Sequence, residues 1–315
     1  MVNTSGIHHV TAIAGDPQRN LDFYEGVLGL RLVKKTVNFD DPSTYHLYYG
    51  DEVGAPGTIM TFFPWTQAPK GRIGAGHATV TSFSVPRDSL GYWTQRLIEH
   101  GVRFEKPRER FSDTVLTFQD PEGLRVELVA ADDPREGWDG GPAPAEHSVR
   151  GLHHVTLLVE HSERTIELLT ESLGFSRVGG EEGRTRFAAG GAVPGALVDV
   201  SDGTGFPEGR TGVGTVDHVA FRVSSEDELL GMREEIERLG YEVTPVRERH
   251  YFRSIYFREP GGVLFEIATE VPGFTVDEDL DSLGNGLSLP PFLENQREQI
   301  ERNLKPIQPT GYGVS

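Results

Sequence analysis

Apolar and polar positions along the chain follow a pattern that repeats. Gly6-Ile7-His8-His9-Val10-Thr11 recurs 145 residues later as Gly151-Leu152-His153-His154-Val155-Thr156. The same offset carries Leu21, Tyr24 and Leu28 onto Ile166, Leu169 and Leu173, sets spaced i, i+3, i+7 that each make one apolar helix face. It also carries Leu28-Gly29 onto Leu173-Gly174. The first helix has its own punctuation: Asp16 at the N-cap, Pro17 at the first helical position, and Gly29 where a left-handed residue ends a helix. Its partner starts near Ser162 and stops at Gly174.

Residues 77–129 and 218–268 follow a related plan. His77-Ala78-Thr79-Val80 matches His218-Val219-Ala220-Phe221, helices follow around Trp93 and Leu97 and around Ile236 and Leu239, and Gly101 and Gly240 end them. Asp120 through Glu127 then aligns with Glu259 through Glu266, a Pro-x-Gly turn feeding an alternating strand. The chain is therefore read as α+β, four βαβββ modules of one strand, one helix and about three strands. Units this small cannot each bury a core, so they are expected to pair into two domains with curved mixed sheets and outer helices. Chain order suggests an N-terminal domain at 6–130 (modules 6–65 and 74–130), a Gly/Pro-rich linker at 131–150, and a C-terminal domain at 151–270 (modules 151–202 and 214–270). The remainder, 271–315, reads as a tail that wraps the body. It carries an acidic stretch at Asp277-Glu278-Asp279 and Asp281, apolar residues in need of burial (Phe274, Leu280, Leu283, Leu287, Phe292), and a short helix near Glu294 to Asn303.

Composition narrows the chemistry. The 315 residues include no cysteine, which excludes disulfides, thiolate zinc sites, iron–sulfur clusters and a cysteine nucleophile. A formal charge of −18 disfavours nucleic acid and anionic membrane surfaces as partners. Met1–Gly6 lacks the basic start of a secretory leader, and no apolar run approaches ~18 residues, so a cytoplasmic protein is expected. The run Gly209–Gly214 lacks the third glycine of a dinucleotide fingerprint and reads as a linker. No Gly-x-Ser-x-Gly elbow or phosphate loop occurs.

Histidine and glutamate instead fall at matching places in the repeat. Each module's first strand carries a histidine (His9, His77, His154, His218), and the last strands of modules two and four carry Glu127 and Glu266. Alternate strand residues share a face, so such a histidine and glutamate can both point into a curved sheet, and a second module adds another histidine. Two imidazoles and one carboxylate on one face of a metal leave the other positions open, an arrangement suited to Fe(II), with Mn(II) also accommodated.

At these residues the sequence resembles the vicinal oxygen chelate superfamily, and over nearly all of 6–290 the hydroquinone-type (extradiol-like) ring-cleaving dioxygenases. The markers are Gly6 to Thr11, Tyr45-His46-Leu47-Tyr48-Tyr49-Gly50-Asp51 with Pro56-Gly57-Thr58, Tyr256 to Glu266, and Gly273-Phe274-x-x-Asp277-Glu278. The resemblance implies paired glyoxalase/dioxygenase-like domains and Fe(II)-dependent opening of a hydroquinone or catechol with O₂, in aromatic-compound breakdown. It implies His9, His218 and Glu266 as metal ligands, with His8, Thr11, Arg249 and Tyr256 around the substrate; His250, beside Arg249, is a further acid–base candidate. His154 is the alternative first ligand, and His77 and Glu127 with His154 or His9 make a second set. Phe39, Phe62 and Phe63 suggest an apolar pocket. The partners expected are a small aromatic substrate and O₂, and the sequence allows a homo-oligomer. The rival readings are a glyoxalase-like metal isomerase or lyase and a non-catalytic protein that binds aromatic compounds in resistance.

Overall fold

The computed structural model describes residues 3–312. Four modules of identical plan follow one another. The first comprises β1 (Ile7–Ala14), α1 (Pro17–Leu21), β2 (Arg31–Asn38), β3 (Asp41–Gly50) and β4 (Ile59–Pro64). The second comprises β5 (His77–Val85), α2 (Leu90–Glu99), β6 (Arg108–Arg110), β7 (Asp113–Gln119) and β8 (Arg125–Ala130). The third is built from β9 (Gly151–Val159), α3 (Glu163–Glu167), β10 (Phe175–Glu181), β11 (Arg184–Ala189) and β12 (Leu197–Asp202). The fourth is built from β13 (Val216–Val223), α4 (Glu226–Arg238), β14 (Arg247–Glu248), β15 (Arg253–Arg258) and β16 (Leu264–Thr269). No helix is long and apolar enough to cross a membrane, among the described residues.

Local signals act as the sequence predicts. Asp16 Oδ1 accepts from the backbone N–H of Gln18 and Arg19 at 2.9 and 3.0 Å, satisfying donors that a helix start leaves free. Gly29 and Gly174 take φ of +70° and +81°, as helix-ending glycines do. One difference is that α1 continues as a π-helical segment over Asp22–Val27. The wider turn lets two consecutive aromatics, Phe23 and Tyr24, both be buried, Phe23 against Phe118 and Tyr24 against Phe62 and Tyr49. In α4 the apolar face is Leu229, Met232 and Ile236, while Leu239 is exposed.

Sheet pairing crosses the division of the chain into halves. One eight-stranded sheet has the order β14-β15-β16-β13-β1-β4-β3-β2 and joins modules one and four; the other, β10-β11-β12-β9-β5-β8-β7-β6, joins modules three and two. The first strands meet antiparallel at the centre of each sheet, β1 with β13 and β9 with β5, and each lies parallel to the last strand of its own module. Domains drawn by chain order, 6–130 and 151–270, therefore do not coincide with the sheets. Within each half the modules touch through helices and turns instead. Tyr24 donates to Asp120 at 3.1 Å, Arg96 donates to the carbonyls of Gly26 and Val27 at 2.7 Å, and Thr165 donates to Glu259 at 2.6 Å. The linker is packed as well: Arg135 donates to the carbonyls of Gly57, in the loop before β4, and of Leu152 on β9, and so bridges modules one and three.

Of the tail, the described part runs along the sheet of modules one and four. Lys34 on β2 is fully buried and pairs with Asp277 at 2.7 Å and with Glu278. Arg31 donates to the carbonyl of Leu280 at 2.6 Å, and a short helix, α5 (Arg297–Asn303), follows. Phe274 and Leu283 are buried as expected; Leu280 and Phe292 are not, at 37% and 58% exposure, and beside Phe292 it is Leu289 and Leu293 that are buried. Replacing Lys34 by Met leaves two partly buried carboxylates without their cation. The expected cost is about 3 kcal/mol of stability, read as a lower urea midpoint together with faster proteolysis beyond residue 271; an unchanged midpoint would remove Lys34 as the anchor of the tail.

Candidate metal centre

The centre forms where β1 and β13 cross the middle of the sheet. Regular strands send adjacent side chains to opposite faces, yet His8 and His9 touch, Nδ1 to Nδ1 at 2.9 Å. The cause is a shift in register: Ile7 pairs with Phe221 and His9 with Ala220, so His8 is an extra residue on β1. A second shift sits on the partner strand, where Thr11 pairs with His218 and Ala12 with Val216, making Asp217 the extra residue. Asp217 Oδ2 stands 2.7 Å from His218 Nδ1. Each bulge thus places an orienting side chain beside a histidine that faces the concave side.

These partners set the tautomers. His8 Nε2 lies 3.2 Å from the Thr269 carbonyl, which can only accept, so Nε2 carries the hydrogen. Burial holds the His8 pKa down at about 3, so the ring is neutral and its Nδ1 accepts from His9 Nδ1–H. His218 Nδ1–H donates to Asp217. Each Nε2 is then the position left for a proton or a metal ion, and the two face Glu266 Oε2 at 3.2 Å from His9 and 3.0 Å from His218. Glu266 is fully buried on β16, and neither of its oxygens receives a hydrogen bond.

Burial favours the protonated form of Glu266, but His9 and His218 outweigh it and hold the carboxyl well below its usual range. Burial likewise works against charge on His218, yet Asp217 and Glu266 raise its pKa to about 9. The site therefore draws a positive charge to its middle. Ligand atoms of His9, His218 and Glu266 all lie within 4.8 Å of one another, and two neutral nitrogens with one carboxylate oxygen fit a divalent first-row metal. The acceptor behind each histidine, His8 Nδ1 for His9 and Asp217 for His218, is the arrangement metal-binding imidazoles use.

A pocket of about 240 Å³ opens onto this centre. Its walls include Phe39, Phe63, Trp65 and Phe252, with His46 and Tyr48 from alternate positions of β3. Tyr48 and Thr61 hydroxyls engage the two nitrogens of His46, each at 2.8 Å. Across the pocket, Tyr256 pairs in register with Glu266, and its phenol oxygen accepts from Arg249 Nε at 3.1 Å and from Ser254 at 3.2 Å. Arg249 also reaches Asp40 at 2.9 Å.

Of the substrate-side residues expected from the sequence, Arg249 and Tyr256 line the pocket. His8 stands behind His9, and the Thr11 hydroxyl is taken by Thr61 at 2.9 Å. His250 lies on the tail side, its Nε2 3.3 Å from Asp277. Phe39 and Phe63 line the pocket, whereas Phe62 packs against Tyr24 in the core. Asp217 and Trp65 carry no signal in the sequence, whereas His46 and Tyr48 belong to a stretch that marks the resemblance, and their i, i+2 placement on one strand face was the available pointer to the pocket.

His154 does not join Glu266, and the second histidine–glutamate set is not assembled. In the other sheet the same bulge brings His153 Nδ1 to His154 Nδ1 at 2.8 Å. There, however, the residue opposite Thr156 is Val80, which occupies the place of His218, while His77 lies three positions away and lines a different cavity with Glu208 and Arg258. Matching histidine to histidine in sequence misses this three-residue displacement along β5. Glu127 is instead bound by Arg110 at 2.8 and 3.1 Å, and by Ser82 and Thr117. A guanidinium supplies the positive charge in that sheet.

Comparison with known proteins agrees with this architecture. The profile of the Glyoxalase/Bleomycin resistance protein/Dioxygenase superfamily matches residues 6–128 and 151–267. MhqO of Bacillus subtilis (strain 168), provisionally named a ring-cleaving dioxygenase, is 46% identical over 306 residues, 97% of each chain. Chlorohydroquinone/hydroquinone 1,2-dioxygenase of Sphingobium indicum is 34% identical over 307 residues, 95% of each chain. A crystal structure of a provisionally named dioxygenase from Bacillus subtilis subsp. subtilis str. 168 superposes with a TM-score of 0.94 at 45% identity, covering 98% of this chain and 99% of that one.

Replacing His8 by Phe keeps a ring in place but removes the acceptor that fixes the His9 tautomer. Fe(II) affinity, measured by anaerobic competition with a chromophoric chelator, is expected to fall about 10- to 100-fold. Wild-type affinity in His8→Phe would show that His9 needs no such partner.

Proposed function

Given that the chain belongs to the Glyoxalase/Bleomycin resistance protein/Dioxygenase superfamily, we propose that it is an Fe(II)-dependent ring-cleaving dioxygenase acting on a hydroquinone- or catechol-type diol with O₂. The observation that carries this reading is the convergence of His9, His218 and Glu266 at the base of an aromatic-lined pocket. The relatives named as ring-cleaving dioxygenases, one a hydroquinone dioxygenase, support it. So does size: a cavity of about 150 Å³ takes benzene, and this pocket of about 240 Å³ accepts one substituted ring. A cytoplasmic setting belongs to the same proposal.

His9, His218 and Glu266 would hold the metal, which supplies Lewis acidity and a route for electrons between ring and oxygen. The chain's own groups do the rest. Phe39, Phe63, Trp65 and Phe252 exclude water and offer faces for ring contact. Tyr256 accepts two hydrogen bonds, from Arg249 and Ser254, so its own O–H is free to donate to a substrate oxygen. Burial and the carboxylate of Glu266 keep that phenol protonated by raising its pKa far above the usual value. The Arg249 guanidinium places a fixed positive charge beside a substrate phenolate and stabilises its anionic form. Only one carboxylate joins the metal-competent cluster among the described residues, which favours this reading over a two-carboxylate isomerase.

Protein loaded with Fe(II) is expected to consume one O₂ per hydroquinone or catechol opened, with no turnover of a methylglyoxal–thiol adduct. Glu266→Gln should lose iron retention and ring cleavage together. Ring cleavage by the iron-free Glu266→Gln protein, or oxygen-independent isomerisation of the thiol adduct by the wild type, would overturn the assignment; a wild type that binds aromatic diols without retaining any metal would favour a binding protein.

A further inference from the structure

The two sheets are duplicates, and the sheet of modules two and three shows a contact that the sheet of modules one and four avoids. The 139-residue offset that takes Glu127 to Glu266 also takes Arg110 to Arg249, Phe111 to His250 and Thr117 to Tyr256. Register agrees, since Thr117 pairs with Glu127 as Tyr256 pairs with Glu266. Backbone agrees too: Phe111 and His250 both have positive φ, +48° and +67°, in the turn before the strand. Yet the two arginines behave differently. Arg110 lies on Glu127 with both terminal nitrogens, whereas Arg249 turns to Tyr256 and Asp40 and leaves Glu266 without a donor.

Asp40 is a weak anchor for Arg249, because its side chain is 64% exposed and exposed ion pairs contribute little. The turn itself is held from behind by the tail. Asp277 accepts from the Tyr251 hydroxyl at 3.0 Å and pairs with buried Lys34 at 2.7 Å, so one carboxylate ties the 249–252 turn to β2. Gly273 N–H donates to the Tyr251 carbonyl at 2.9 Å. Phe274 packs on both Tyr251 and Tyr48, at 4.9 and 5.0 Å between ring centres. The matching turn in the other sheet has different neighbours: Phe111 lies over Arg186 at 4.2 Å and its N–H bonds Glu181.

We propose that the C-terminal tail, through Asp277 and the Tyr251 phenol, positions the 249–252 turn so that Arg249 stays off Glu266 and that carboxylate remains available to a metal ion. The inference rests on His9, His218 and Glu266 being the metal ligands. Guanidinium and metal compete for one carboxylate, and a buried two-nitrogen contact of the Arg110 kind is a strong competitor. Metal affinity falls by the fraction of molecules in which Glu266 is free; Arg249 occupying it about nine-tenths of the time weakens binding tenfold. Asp277 is thus a positioning residue that lies outside the 6–128 and 151–267 segments shared with the superfamily.

The test is anaerobic Fe(II) titration of the full-length apoprotein against a chromophoric chelator. Asp277→Asn is expected to weaken Fe(II) binding about tenfold, and Tyr251→Phe, which spares the Lys34 pair, to weaken it in the same direction by a smaller factor. Arg249→Ala added to either variant restores wild-type affinity, a rescue that simple loss of tail packing would not produce. Wild-type affinity in both single variants, or no rescue by Arg249→Ala, overturns the proposal. Failure of the wild type to bind Fe(II) overturns the metal reading instead. Should Asp277→Asn not fold, Tyr251→Phe with and without Arg249→Ala decides the question alone.

Discussion

A carboxylate buried without a hydrogen-bond donor is costly, and Glu266 is sustained by the positive charge that His9 and His218 draw to its Oε2. That demand organises what surrounds it. Two bulges, one on each central strand, supply His8 and Asp217 at the backs of the two imidazoles, so that both Nε2 atoms face inward. Without the bulges, strand alternation would send His8 and Asp217 to the far face, and neither tautomer would be defined. The pocket, its aromatic walls and the phenol of Tyr256 are then arranged on strands whose register is set by the same junction.

The second sheet shows how little change converts such a centre into a structural knot. Val80 in place of a histidine removes one ligand, and Arg110 provides the charge that Glu127 requires. Burial opposes ionisation of Glu127, but His154 and Arg110 overcome it and bring its pKa down to about 2. Arg186 and Asp199 form a further buried pair beside it, at 2.7 and 2.9 Å. The same frame therefore satisfies one buried carboxylate with a guanidinium and leaves the other for a metal.

Much of this was readable in the sequence. The four-module repeat, the Asp16 cap and the glycine stops are local matters of period and backbone freedom. The His8-His9 doublet also marked the site, although why two adjacent residues should face one another was not legible until the register shift was seen. Asp217 carries no local signal, because its role depends on a bulge in the pairing of β13 with β1, at the other end of the repeat. His77 matches His218 in residue identity but not in register, since Val80 is the residue opposite Thr156.

By itself, then, the sequence determined four βαβββ units and the donor types that a metal could use. Only the tertiary structure decided that module four, and not module two, shares a sheet with module one. The physical reason is that β1 and β9 share the run His-His-Val-Thr, so each presents the same local pattern to a partner strand. Backbone hydrogen bonding between strand edges is indifferent to chain order. The choice between His9 and His154 is made by long-range packing, in which helix contacts hold the halves together while the central strands pair across them.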